Sequence, residues 1–269
     1  MAEQIILKLG GRCPNKAALS VGFQMAKGAS LPIRALYLEN EQLFKASRFS
    51  FSKEVGFCGS RRGFELHELK KENKIAMRAL EREVRRRSLA ARIDSDFLTI
   101  TENVNAQFHS YCDRENIIVM GEHLSARQLT RDYMQLKESN CRGGVLMAGP
   151  RASAGSGPLV ILVHSYDAWN DGLNMLRDYL QTFEQSVVLL CIGDVIEREE
   201  ELRNDLEADF FGDLVVYGMK RMDQSRLLWE IGHLKTGLLY LLPDCPLAAE
   251  KDGFEVLLNL FRCPLLVSL

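Results

Sequence analysis

The sequence predicts a parallel α/β protein made of two successive units. Short apolar runs alternate with stretches of helical spacing along the whole chain. That strand-then-helix order begins again after a run of small residues near the middle. At 269 residues the chain also exceeds the roughly 100–200 residues of a usual single domain.

The elements follow in order. "QIILKLG" (Gln4 to Gly10) opens as a strand, and "NKAALSVGFQMAKGA" follows as a helix with Ala18, Val21, Met25 and Ala29 on one face and Asn15 as N-cap. "IRALYLE" from Ile33 is the second strand. The piece that follows, through "GFCGSRRG" (Gly56 to Gly63), reads as loop. A charged helix runs from Leu66 to about Arg92, then a third strand "DFLTI" and a helix over "NVNAQFHSYCDRE". "NIIVMGEH" (Asn116 to His123) is the fourth strand and its exit, "ARQLTRDYMQLKES" the fourth helix, "GVLMAG" the fifth strand.

"PRASAGSG" (Pro150 to Gly157) is small and flexible in composition, and separates a first domain, 1–149, from a second, 158–269. In the second, "LVILVHS", "VVLLCIG", "DLVVYG", "GLLYLLP" and "PLLVSL" are strands. The helices between them run through "DGLNMLRDYLQTF", the acidic "IEREEELRNDLEADF", "DQSRLLWEIGHL" and "EKDGFEVLLNLF". The second unit is a shortened copy of the first.

Composition narrows the function. With 46% hydrophobic and 26% charged residues and a formal net charge of -2, the chain is ordinary globular material with no electrostatic reason to favour nucleic acid. Its longest apolar runs fall well short of the ~18 residues that span a bilayer, and the N-terminus lacks a basic signal region. A cytoplasmic protein without membrane insertion is expected. Seven dispersed cysteines without a C-x-x-C pair read as reduced, packing thiols, and the histidines show no metal-ligand spacing.

"NIIVMGEH" resembles the "DLIVMGSHG" strand of the universal stress protein family, and "LFRCPLLVSL" resembles that family's closing "CPVLVV" strand. The element order of both halves is similar to it as well. The resemblance implies an open five-stranded parallel sheet in each half with helices on both faces, the adenine-nucleotide alpha-hydrolase-like architecture, with ligands beyond the carboxyl ends of the strands. It also implies that a closing strand pairs across an interface, making the halves an intramolecular pseudo-dimer that is a candidate for further dimerisation.

Family members that bind ATP carry an aspartate after the first strand and G-x-x-G, nine residues, then G-S or G-T. Here Gly10 and Gly11 stand in place of the aspartate. Gly121 fits the first glycine, Leu124 falls at the second, and Met134-Gln135 at the final pair. In the second half the corresponding strands end in His164-Ser165 and Leu242-Pro243. The candidate site for ATP or AMP is therefore Gly10, Gly11, Met120, Gly121, Glu122, His123 and Arg127 in the first half, where a carboxylate, an imidazole and a guanidinium could meet a phosphate or exchange a proton. The plainer reading is a solvated loop and helix start.

Three further groupings invite function. His164, Ser165 and Asp167 suggest a hydrolase triad, but no G-x-S-x-G elbow is present, and Ser165 or Asp167 serves as well as a helix N-cap. The glycines of Gly56 to Gly63 with Arg61 and Arg62 match no phosphate-loop pattern. Lys71, Lys74, Arg78, Arg82 and Arg85 form a basic stripe beside an apolar one, suited to an acidic partner or to plain solvation with interleaved glutamates. No catalytic constellation is recognisable. The expectation is a stress-response regulator that is not an enzyme and acts through a protein partner, with a nucleotide hydrolase or a ligand-free adaptor as alternatives.

Overall fold

Alternating apolar strands need cover on both faces, and the chain supplies it with helices folded back after each strand. The computed structural model describes residues 3–10, 14–39, 53–55, 61–63, 66–101, 108, 110–111, 115–122, 124–139, 141–153, 157–180, 186–207, 210, 212–221 and 224–269. In the first half these comprise β1 (Ile5–Leu9), α1 (Lys16–Gly28), β2 (Ile33–Leu38), β3 (Lys53–Val55), β4 (Arg61–Gly63), α2 (Leu66–Ala91), β5 (Ser95–Ile100), β6 (Glu115–Met120), α3 (Ala126–Glu138) and β7 (Arg142–Met147). The second half contains β8 (Leu159–Val163), α4 (Tyr166–Leu180), β9 (Ser186–Ile192), a 3-10 turn (Gly193–Arg198), α5 (Glu199–Glu207), β10 (Asp213–Met219), α6 (Gln224–His233), β11 (Leu238–Leu241), α7 (Pro246–Ala249), α8 (Lys251–Leu260) and β12 (Leu265–Ser268).

The two expected separate sheets are one. Ten strands run in the order β10-β9-β8-β11-β12-β7-β6-β1-β2-β5. Each set of five is parallel, and the sets join where β12 meets β7 antiparallel, from Leu265 opposite Met147 to Ser268 opposite Gly144. The physical reason is the open edge: a closing strand has unpaired backbone groups, and the other half's closing strand satisfies them. Where a loop was expected before α2, β3 and β4 pair as a short antiparallel hairpin.

Two cores flank this sheet. On one face α1, α2, α4 and α5 pack through residues such as Leu19, Met25, Leu80, Val84, Trp169, Leu176, Leu202 and Leu206. On the other, α3, α6, α7 and α8 pack through Leu129, Tyr133, Leu227, Ile231, Leu247, Phe254 and Leu257. Both cores cross the β7–β12 junction, and Tyr133 lies against Phe254 across it with ring centres 4.7 Å apart. Cys141, Cys191, Cys245 and Cys263 are buried and reduced, and burial pushes the Cys191 and Cys263 thiols up to about 12. Cys13, Cys58 and Cys112 lie outside the described residues. Among the described residues no helix is long and apolar enough to cross a membrane.

Candidate functional site

The carboxyl ends of β1 and β6 lie side by side, Lys8 opposite Met120. Gly121 continues the ladder by donating its N–H to the Lys8 carbonyl at 2.9 Å. A Cβ at Gly121 would come within 2.6 Å of Leu9 Cδ2 and 3.0 Å of that same carbonyl, so the close approach of the two backbones requires glycine. Packing alone therefore accounts for the residue expected to admit phosphate.

The return from β1 to α1 is stitched across these strand ends. Pro14 forms an antiparallel bridge with Glu122, and the Asn15 N–H donates to the Gly121 carbonyl at 2.8 Å. The Asn15 side chain caps α1 by accepting from the Ala18 N–H at 3.2 Å, while its amide nitrogen donates to the Ala148 carbonyl, just beyond β7, at 2.9 Å. One buried asparagine thus ties α1, β6 and β7 together.

Glu122 lies against Gly10, where a Cβ would sit 2.5 Å from Glu122 Oε1. Burial raises its carboxyl pKa; Lys8 opposes that shift and Asp132 adds to it. Lys8 leaves the second core face of β1 to pair with Asp132 of α3, Nζ to Oδ2 2.5 Å, and lies over the Phe108 ring at 5.5 Å. Farther along the sheet, the Tyr37 hydroxyl donates to Asn73 Oδ1 at 2.5 Å and Asn73 donates to Glu39 at 3.0 Å. Burial raises the Tyr37 pKa, followed by the negative charges of Glu39 and Glu122. Two separate polar groupings thus occupy this end of the first half, Lys8–Asp132 on the α3 face of the sheet and Tyr37–Asn73–Glu39 on the α2 face.

Of the seven candidate residues, Gly10, Gly121 and Glu122 meet at this end. Met120 is a core residue, 1% exposed. Arg127 is exposed in the first turn of α3. Gly11 and His123 lie outside the described residues. The positions of the family's final glycine pair, Met134 and Gln135, fall inside α3, so the helix begins where the nine-residue stretch of the signature would run. Ser125 starts it with a capping box. Its hydroxyl accepts from the Gln128 N–H at 3.3 Å, and Gln128 Oε1 accepts from the Ser125 N–H at 3.1 Å. Sequence reasoning missed Lys8, Asp132 and Asn73; only Lys8, a lysine inside an apolar strand, carried a local signal.

The second half is closed differently. Ser165 caps α4 by accepting from the Ala168 N–H at 3.1 Å, which fixes the grouping with His164 and Asp167 as a helix start. A Cβ on Gly172 would stand 2.5 Å from Leu242 Cδ2, so α4 presses directly on the end of β11. Burial lowers the His164 pKa, and the Asp244 charge partly restores it. Trp169 Nε1 donates to Asp205 at 2.9 Å, fastening α4 to α5. Most of the Gly56 to Gly63 segment lies outside the described residues; 61–63 is β4. The basic stripe faces solvent on α2. Among the described residues no three His, Cys, Asp or Glu side chains gather as they would around a metal ion.

No protein-family model and no curated protein sequence matches this chain. Solved structures do. A universal stress protein from Archaeoglobus fulgidus superposes with a TM-score of 0.58 at 9% identity, covering 99% of this chain and 97% of that one. A protein of Pseudomonas aeruginosa described as a universal stress protein gives 0.58 at 14% identity over 99% and 93%. The cytoplasmic domain of a prokaryotic cation chloride cotransporter gives 0.53 at 11% over 100% and 96%. At these identities the likeness is one of architecture, and it extends over nearly the entire length of each partner: this chain has the universal stress protein fold.

Proposed function

We propose that this chain is a regulatory protein of the universal stress protein type that works through protein contacts and does not turn over a nucleotide. The observation that carries the reading is the state of the expected phosphate position. Phosphate binding at a helix N-terminus needs free backbone N–H groups and room beside them. Here Ser125 already accepts from the first turn of α3, and the carboxyl of Glu122 lies against Gly10 on the neighbouring strand end. An anion brought to that end would meet a carboxylate and a capped helix. The cytoplasmic domain of a cation chloride cotransporter has a similar fold. There the fold is one part of a larger protein, which agrees with a role through contacts.

Titration with ATP and AMP, with and without magnesium, followed by measurement of released phosphate, tests the proposal. Affinity weaker than about millimolar and no phosphate release are expected. Submillimolar saturable binding that Glu122→Lys alters would assign the site to a nucleotide after all. Phosphate release lost in that same variant would move the protein to the hydrolase class.

A further inference from the structure

The helices over one face of the sheet are sorted by charge. α2 carries Lys70, Lys71, Lys74, Arg78, Arg82, Arg85, Arg86 and Arg87 against four glutamates. Residues 193–207 carry seven acidic side chains against Arg198 and Arg203. These two segments occupy equivalent places, α2 between β2 and β5 and residues 193–207 between β9 and β10 of the ten-stranded sheet, each packed into the same core. The antiparallel β7–β12 ladder relates the halves by a rotation about an axis normal to the sheet. The inner pair follows the same division: α1 exposes Lys16 and Lys27 and has no acidic residue, whereas α4 exposes Asp167 and Asp171, with Arg177 near its end.

Side-chain spacing matches too, with the neutral Asn204 at the middle position on the acidic side. Leu80 and Val84 point α2 into the core, which turns Arg78, Arg82 and Arg85, at i, i+4 and i+7, to solvent. Together with Ile75 and Glu81 they line a cleft of about 520 Å³. Arg82 donates to the Arg78 carbonyl at 3.3 Å, and among the described residues none of the three has a carboxylate partner. On α5, Leu202 and Leu206 face the core, which turns Glu200, Asn204 and Glu207, again at i, i+4 and i+7, outward. Ile75 and Leu89, 58% and 74% exposed, add apolar surface to the basic stripe.

We propose that two copies of this chain pair face to face through this helix layer, α2 of each lying against residues 193–207 of the other. A twofold axis in the plane of the layer carries the basic end of one copy onto the acidic end of its partner and, by the same rotation, the acidic end onto the basic. Both contacts form at once and the assembly closes as a dimer. α1 then lies antiparallel to the partner's α4, setting Lys27 near Asp167 and Asp171. The inference does not depend on whether the first half binds nucleotide.

Charge reversal tests it. Sedimentation of the full chain at low salt should give a dimer that dissociates as ionic strength rises and the Debye length shrinks from roughly 30 Å to below 10 Å. Arg78→Glu/Arg82→Glu/Arg85→Glu and, separately, Glu200→Lys/Glu207→Lys should each weaken self-association on the order of 100-fold while leaving the circular dichroism spectrum unchanged, because all five side chains face solvent. Mixing the two variants should restore a one-to-one dimer, since each then offers the charge that the other needs. A wild-type monomer at low salt, or a mixture that stays monomeric, overturns the proposal. So does a monomer whose arginine stripe instead retains an anionic polymer that the triple variant releases.

Discussion

A carboxyl group held against Gly10 and away from water resists ionisation, and Glu122 is that group. Its folded pKa lies above the ordinary value, so relative to the unfolded chain it favours folding in acid, and this contribution is lost as pH rises from about 4.3 through its folded pKa. Glu122→Gln keeps the shape and removes the charge. Thermal unfolding at pH 8 should show the variant to be the more stable, with the gap closing towards pH 4. Equal melting at pH 8, or a gap that widens in acid, would contradict this. Lys8 and Asp132, by contrast, are held as an ion pair with side chains 15% and 19% exposed. Lys8→Met leaves the Asp132 carboxylate without its cation and should cost about 2–3 kcal/mol by denaturant unfolding. Adding Asp132→Leu should recover part of that loss, and failure to recover any would mean the pair is not what holds α3 to β1.

Asn15 shows how one side chain sets an element's place. Asn15→Ala removes the cap of α1 and the bond to Ala148 together, for an expected cost of about 2 kcal/mol, whereas Asn15→Ser keeps a cap and should lose about half of it. An Asn15→Ser variant as stable as the parent, measured by denaturant midpoints, would show that the tie to β7 contributes nothing, and equal costs for the two would show the same of the cap. The cap itself was legible in the sequence, as was Ser165 ahead of α4, because a polar residue before an apolar-periodic run is a local signal. The strands of the large sheet were legible for the same reason: each is a short, mostly apolar run bounded by polar or turn residues, enough to mark it without knowledge of its neighbour. The start of α3 is also written locally, in Ser125 and Gln128 at capping-box spacing. The β3–β4 hairpin was not legible, since strands of three residues carry no periodicity. Nor was the Lys8–Asp132 pair, whose members stand 124 residues apart and meet only after the sheet and α3 have both formed.

At the scale of the whole molecule, the apolar pattern alone divides the chain into two units, and only the family resemblance, with its closing strand paired across an interface, anticipated the β7–β12 junction that joins them. Residues 145–147 and 265–267 read simply as buried strands, and nothing local to either run says that they lie side by side. Their pairing matters because both cores run through it: Val145, Leu146 and Met147 on β7 and Leu265, Leu266 and Val267 on β12 are at most 1% exposed. Neither half can therefore unfold without stripping cover from the other, and a single cooperative transition should result, unusual for a chain of this length. Intrinsic fluorescence from tryptophan reports the second half, where the buried Trp169 resides, while far-UV circular dichroism reports both. The two signals should superpose through urea unfolding. Val145→Asp puts a carboxyl group into the second core at the junction, without a partner, and should lower the common midpoint by the equivalent of about 3–5 kcal/mol. Should the fluorescence transition stay in place while the dichroism transition splits, the halves would be independent domains that merely touch, and the ten-stranded sheet would not be the cooperative unit of this protein.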